Sequence, residues 1–217
     1  MTLMTKFLII IIAFCSTLCS CGQSTNDNSI NGLTIDPNIK TEVEKNINPS
    51  EFGAGQDKIL IYNNRMLLDF YEDDKLSISL KEQDNKSTVF KSFYYWQGDT
   101  LGIDGAYGLF GGTGFSIKII KGKATLYHML DSDDFPSYAY KEKDSLIFRL
   151  EVPCTDTKIV LSELPDSTKN QIVYGYVEFK SGDYYASSGS ADGQEILPRK
   201  KQRANMRIYF KSAKLDL

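Results

Sequence analysis

The chain carries one histidine, His128, and one cysteine beyond its first twenty-one residues, Cys154. A thiol and an imidazole can act as nucleophile and base, but only where the fold brings them within hydrogen-bond reach. His128 lies in phase with Leu126 and Leu130, on the apolar side of an extended segment, so a buried structural histidine is the plainer expectation. A serine triad would also have to use His128, and no Gly-x-Ser-x-Gly elbow presents a serine to it. One histidine is too few for a zinc site. No catalytic residue, metal or other cofactor is expected on these grounds.

Two loops invite comparison with ligand-binding motifs. The run from Gly102 to Gly114 is the densest glycine stretch, with Gly105, Gly108, Gly111 and Gly112 between its ends, but no lysine stands where a phosphate loop needs one, and a strand pattern rather than a helix follows. Positive φ, bulges and close backbone approach are the ordinary uses of such glycines in a long loop or twisted hairpin, and a loop of this kind can rim a ligand site. Asp131-Ser132-Asp133-Asp134 opens like a calcium loop, with Glu142 at the twelfth place. Phe135 and Pro136 then occupy the positions of a ligand and the turn glycine, so an acidic turn between strands is the better reading.

The aromatic residues are the most suggestive feature. Phe93-Tyr94-Tyr95-Trp96 leads to Asp99, and Asp183-Tyr184-Tyr185 leads into a Ser/Gly/Asp stretch. Consecutive aromatics on a strand point to both faces, so some of these rings must leave the core. Rigid amphipathic rings at a surface suit sugars, peptides or a protein partner, and Tyr94, Trp96, Asp99, Tyr184 and Tyr185 are the candidate ligand-binding residues. Cross-strand aromatic pairing accounts for the same rings without any ligand. Arg199-Lys200-Lys201-Gln202-Arg203 is the one basic cluster; it reads as a solvated loop before the last strand, with contact to anionic headgroups as the functional alternative.

At the N-terminus, Lys6 precedes the apolar run Phe7-Leu8-Ile9-Ile10-Ile11-Ile12-Ala13-Phe14, which is too short to span a bilayer. Leu18-Cys19-Ser20-Cys21 closes it and resembles the lipobox of bacterial lipoproteins, in the style of Bacteroidota. The resemblance implies removal of residues 1–20, acylation of Cys21 and anchoring in the cell envelope. Gly22, where inner-membrane retention tends to use Asp, points to the outer membrane, and the lack of an acidic cluster after Cys21 points to its periplasmic side. Two or three acyl chains anchor stably where one does not. The processed chain would then hold Cys154 as its only free thiol and could form no internal disulfide. It would carry 24 basic and 28 acidic residues, and with a sequence pI near 5.3 nothing suggests a nucleic-acid partner.

The elements that must position these groups are mostly extended. Residues 21–56 read as lipidated Cys, polar tether and one short helix, with Asp36 as cap, Pro37 at the first position, Ile39, Val43 and Ile47 on one face, and Pro49 ending it. From residue 57 to 217 the period is two. Strands are expected over 58–62, 66–71, 76–80, 89–96, 115–120, 124–130, 145–152, 158–164, 172–180 and 205–214. Leu76, Ile78 and Leu80 share one face of theirs. About ten short strands with frequent turns describe a single all-β domain, an antiparallel β-sandwich or partly open barrel. The function expected is a lipid-anchored envelope module that binds a glycan, a peptide or an envelope protein without catalysis. The alternatives are a hydrolase using His128 with Cys154 or carboxylates, and an inhibitor or immunity-type protein.

Overall fold

The computed structural model describes residues 29–30, 32–49, 60–63, 67–80, 89–107, 111–187, 195 and 197–215. The expected lipidation site Cys21 lies outside them. No helix among the described residues is long and apolar enough to cross a membrane.

The chain opens with β1 (Ser29–Ile30), β2 (Leu33–Ile35), the helix α1 (Ile39–Asn46), β3 (Ile47–Pro49) and β4 (Leu60–Asn63). A hairpin follows, β5 (Leu67–Glu72) and β6 (Lys75–Leu80), whose two turn residues Asp73 and Asp74 both take positive φ, as a type I′ turn requires. The main wall is β7 (Val89–Gln97), β8 (Thr100–Tyr107), β9 (Gly112–Ile120) and β10 (Lys123–Asp131), an antiparallel meander. The two-residue β11 (Tyr138–Ala139) precedes β12 (Arg149–Leu161), β13 (Ile172–Ser181), β14 (Tyr184–Ala186) and β15 (Lys200–Lys214).

The wall closes on itself. From β7 the order runs through β8, β9, β10, β12 and β13 to β15, and β15 returns to β7 through a parallel pairing of Ala213 with Phe93 and Lys214 with Tyr94. Among the described residues those two pairs make the closure, with the Leu215 amide donating to the Tyr94 carbonyl at 2.7 Å. Further back along the same edge, β15 pairs β5 from Gln202 to Arg207 instead, while the matching edge of β7 pairs β4. The two strands therefore splay apart at one end, and the expectation of a partly open barrel holds.

Alternate residues fill the interior: Phe90 and Tyr94 of β7, Leu101 and Ile103 of β8, Phe115 and Ile117 of β9, with Met206, Ile208 and Phe210 of β15, all buried. A seven-strand wall leaves room only for side chains, so this end is packed rather than hollow. Gly105 makes the packing possible. A Cβ there would stand 2.5 Å from the Phe115 ring and 2.6 Å from that of Phe90. Inside the closure, the Ser92 hydroxyl donates to the Asp104 carbonyl at 3.0 Å and shares a 2.5 Å hydrogen bond with Ser212, so these two buried hydroxyls are paired. Outside, α1 lays Ile39 and Val43 on Val160 and Tyr176. The helix ends one residue short of the expected face, because Ile47 starts β3, and the Asp36 carboxylate accepts from the Asn38 amide at 2.9 Å.

Three expectations need correction. In place of two segments over 145–152 and 158–164 there is one thirteen-residue strand, β12, continuous from Arg149 to Leu161 with a bulge against β13 between Thr155 and Lys158. The glycine-rich run is mostly wall, not loop: Gly102 and Gly105 sit in β8, Gly112 and Gly114 in β9. Leu76 and Ile78 do not reach the core; among the described residues β6 pairs β5 alone and hangs beyond the wall, leaving them 56% and 52% exposed.

Candidate functional site

Where the barrel splays, a cavity of about 370 Å³ remains. Phe70 of β5 and Ile78 of β6 form one side; Tyr107, Leu130, Tyr138 and Tyr184 form the other. Glu72, Ser77, Thr113 and Gln202 add polar groups to the lining. The volume is at the small end of ligand pockets, and a lining of rings with a few convergent polar atoms is their usual chemistry. The wall exists because β15 changes partner: Tyr184 pairs Gln202 on one edge of β15, and Phe70 pairs Ala204 on the other.

Tyr184 is wholly buried, and its hydroxyl has no hydrogen-bond partner among the described residues. Burial, with a smaller push from nearby Tyr138, raises its phenol pKa well above the ordinary range, so it stays a neutral donor. An unpaired buried hydroxyl costs about 1–3 kcal/mol. Behind it lies His128, also fully buried, with ring centroids 5.7 Å apart. Phe70 and Phe179 complete an aromatic box around the imidazole at 6.3 and 6.0 Å. The His128 Nε2 hydrogen-bonds the Thr113 hydroxyl at 2.6 Å, while Nδ1 has no partner among the described residues. Burial alone pushes the imidazole down to about 3, so it is neutral at any ordinary pH.

His128 and Cys154 do not form a catalytic pair. The Cys154 thiol donates to the Val152 carbonyl at 3.6 Å, and burial pushes it up to about 12. A nucleophilic thiolate with its base needs the opposite arrangement, a lowered thiol beside a proton-accepting imidazole. His128 pairs Val152 in the β10–β12 ladder, so what reaches the Cys154 thiol is the His128 backbone, while the imidazole bonds Thr113.

The aromatic candidates separate. Tyr94 faces inward and is fully buried; its hydroxyl donates to the Gln171 carbonyl at 3.2 Å and accepts from the Gln171 amide at 3.1 Å. It is a core residue rather than a surface ring. The expectation that consecutive aromatics use both faces is met by its neighbours, since Phe93 and Tyr95 stack on the outside at 6.2 Å. Trp96 packs against the core from the same side as Tyr94, and Asp99 is exposed in the β7–β8 turn. Tyr184 is in the cavity wall, while Tyr185, the next residue along β14, is half-buried and absent from the lining. Tyr94 pairs beside Lys214 and Tyr184 beside Gln202, so about 40 Å of strand separates the two groups. They do not make one site.

The basic cluster is not a loop. Lys200 already begins β15, and the acidic hairpin turn neutralises it: Lys200 pairs Glu72 at 3.3 Å and Lys201 pairs Asp74 at 3.0 Å, while Arg203 lies over the Tyr71 ring. Arg199 turns away to donate to the Glu142 and Asp144 carbonyls at 2.5 Å each. The Asp131–Asp134 turn holds no cluster suited to a metal among the described residues. Phe70, Tyr107, Thr113 and Tyr138, which line the cavity, carry no mark in the local sequence; each is an ordinary strand residue until the seam gathers them.

No protein-family model, no curated protein and no solved structure matches this chain.

Proposed function

We propose that this chain is a lipid-anchored binding module of a bacterial envelope, and that its site is the seam cavity. The anchor is Cys21, and the expected location is the periplasmic face of the outer membrane, on the strength of the leader's order of charge, apolar run and cysteine. The ligand is a small one, or the tip of a larger glycan or peptide, with an apolar face for the rings and one acceptor for a hydroxyl. The observation that carries this reading is the Tyr184 hydroxyl, buried in the cavity wall without a partner among the described residues. Interiors seldom tolerate such a group unless something else satisfies it.

Titration with indole and with 4-nitrophenyl β-glucoside, followed by amide shifts in nitrogen-15 spectra, tests the site. Saturable shifts at Phe70, Thr113 and Tyr184 are expected from at least one probe. Tyr184→Phe should weaken the sugar probe by about tenfold, the worth of one hydrogen bond. Equal affinity in that variant, or shifts that map elsewhere, would refute the assignment. Anchoring is tested separately, since Cys21→Ala should abolish palmitate incorporation and membrane fractionation.

A further inference from the structure

The outer face of the same wall holds a second feature, independent of the seam. The residues of β8 and β9 that point outward are small: Gly102, Asp104 and Ala106 on one, Gly114 and Ser116 on the other. Their neighbours stand tall, with Phe93 on β7 and Met129 and Arg149 on β10 and β12. A trough of about 410 Å³ results. The backbones beneath approach too closely for a side chain, because a Cβ on Gly114 would lie 1.9 Å from the Gly105 carbonyl oxygen.

Asp104 lies on the trough floor and is only 3% exposed. Its Oδ2 meets Arg149 at 3.4 Å, a long and partly shared contact, since the same guanidinium nitrogen stands 3.6 Å from Glu151. Ser116 sits beside the carboxylate, yet no donor reaches Oδ1 with hydrogen-bonding geometry among the described residues. Glu151 is already served by Lys118. At the open end, Asp131 and Asp133 add two more carboxylates against Lys91. A buried carboxylate oxygen without a donor, in a trough that is net acidic and walled on one side by a phenyl ring, is complementary to a cation that brings its own N–H groups.

We propose that this trough binds an organic cation, an alkylammonium or guanidinium group, through a hydrogen bond to Asp104 Oδ1. Phe93 flanks the alkyl stem, and Asp131 and Asp133 favour the charge at the entrance. Arg149 competes for the same carboxylate rather than helping to hold the ligand. The cation could arrive as a free diamine or as a lysine or arginine side chain of a peptide; the recognition chemistry is shared.

The probes are 1,5-diaminopentane for the free amine and Nα-acetyl-lysine methylamide for the side chain, with tetramethylammonium as a cation lacking N–H donors. Titrated into the folded protein at low salt, one or both amines should shift the amides of Asp104, Met129 and Asp131 saturably, and tetramethylammonium should not. Binding of the diamine alone assigns free amines, binding of the lysine amide alone assigns peptides, and either outcome supports the trough. Asp104→Asn should weaken the amine by at least about tenfold. Arg149→Gln should strengthen it, because a competing cation has gone. Loss of amine binding in Arg149→Gln, equal binding of tetramethylammonium, or no saturation into the tens of millimolar would overturn the proposal. Should Asp104→Asn not fold, the carbon-13 shift of the wild-type Asp104 carboxylate decides, and an unmoved signal counts against it. Tyr184→Phe should leave this binding unchanged, which keeps failure here separate from failure of the seam site.

Discussion

Lowering the pH should strike this fold through one residue. His128 is fully buried among Phe70, Phe179 and Tyr184, and the partner its ring has is the Thr113 hydroxyl. An imidazolium there would be an uncompensated charge, so the native state resists protonation down to about pH 3, whereas the unfolded chain takes up its proton near the ordinary value of 6.5. The depressed native value means that the stability contributed by neutral His128 is complete above pH 6.5 and is lost as the pH falls toward 3. At about 1.4 kcal/mol per pH step in that window, the loss between pH 7 and pH 4.5 is about 2–3 kcal/mol. For a domain of this size that corresponds to roughly 5–10 °C in melting temperature. Urea unfolding at half-unit pH intervals, run in parallel on the wild type and on His128→Gln, isolates the contribution, because carboxylate titrations are common to both. The variant starts lower at pH 7 but should fall less steeply. Parallel curves, or a native imidazole that titrates near 6.5 by proton NMR, would show that the ring is hydrated and the reasoning mistaken.

Three other outcomes follow from the same packing. Cys154, with its thiol pushed from 9 to about 12, should alkylate about a thousandfold more slowly in the native protein than in the unfolded one at pH 8, read by mass spectrometry on its own peptide. Gly105→Ala places a Cβ against two phenyl rings and should lower the urea midpoint by the equivalent of about 1–3 kcal/mol; an unchanged midpoint would mean the core gives way more easily than its geometry implies. For Asp104, desolvation outweighs the nearby Ser116 hydroxyl and the charge of Arg149, so its carboxyl is raised and its contribution to stability is present at acid pH and declines as the pH rises through the native value. Asp104→Asn should therefore melt higher than the wild type at pH 7, with the gap closing toward pH 3; a lower melting temperature at pH 7 would show that the Arg149 ion pair dominates.

The period-two alternation from residue 57 onward was enough to place the all-β class and most strands, because side-chain direction along a strand is a local property. Leu126, His128 and Leu130 face inward as that rule demands. The rule also required aromatics on both faces of β7, but it could not say which phase was which: Tyr94 and Trp96 turned inward and Phe93 and Tyr95 outward. The β8 strand was illegible for a related reason. Its glycines lie in a wall where two backbones come close, so they occupy positions that composition alone assigns to a loop.

The candidate sites were beyond local reading. Chemistry alone singled out His128, Cys154 and the tyrosines, and set aside zinc and a serine triad on residue counts and spacing. Whether any two of them met depended on pairings between residues far apart in the chain. The exchange of β5 for β7 along one edge of β15 opens the cavity and brings Phe70, Thr113 and Tyr184 to it, and the stacking of short outward residues on β8 beneath Phe93 and Arg149 makes the trough. Alternation is written in each segment by itself; register and closure are relations between segments, and only the folded chain holds them.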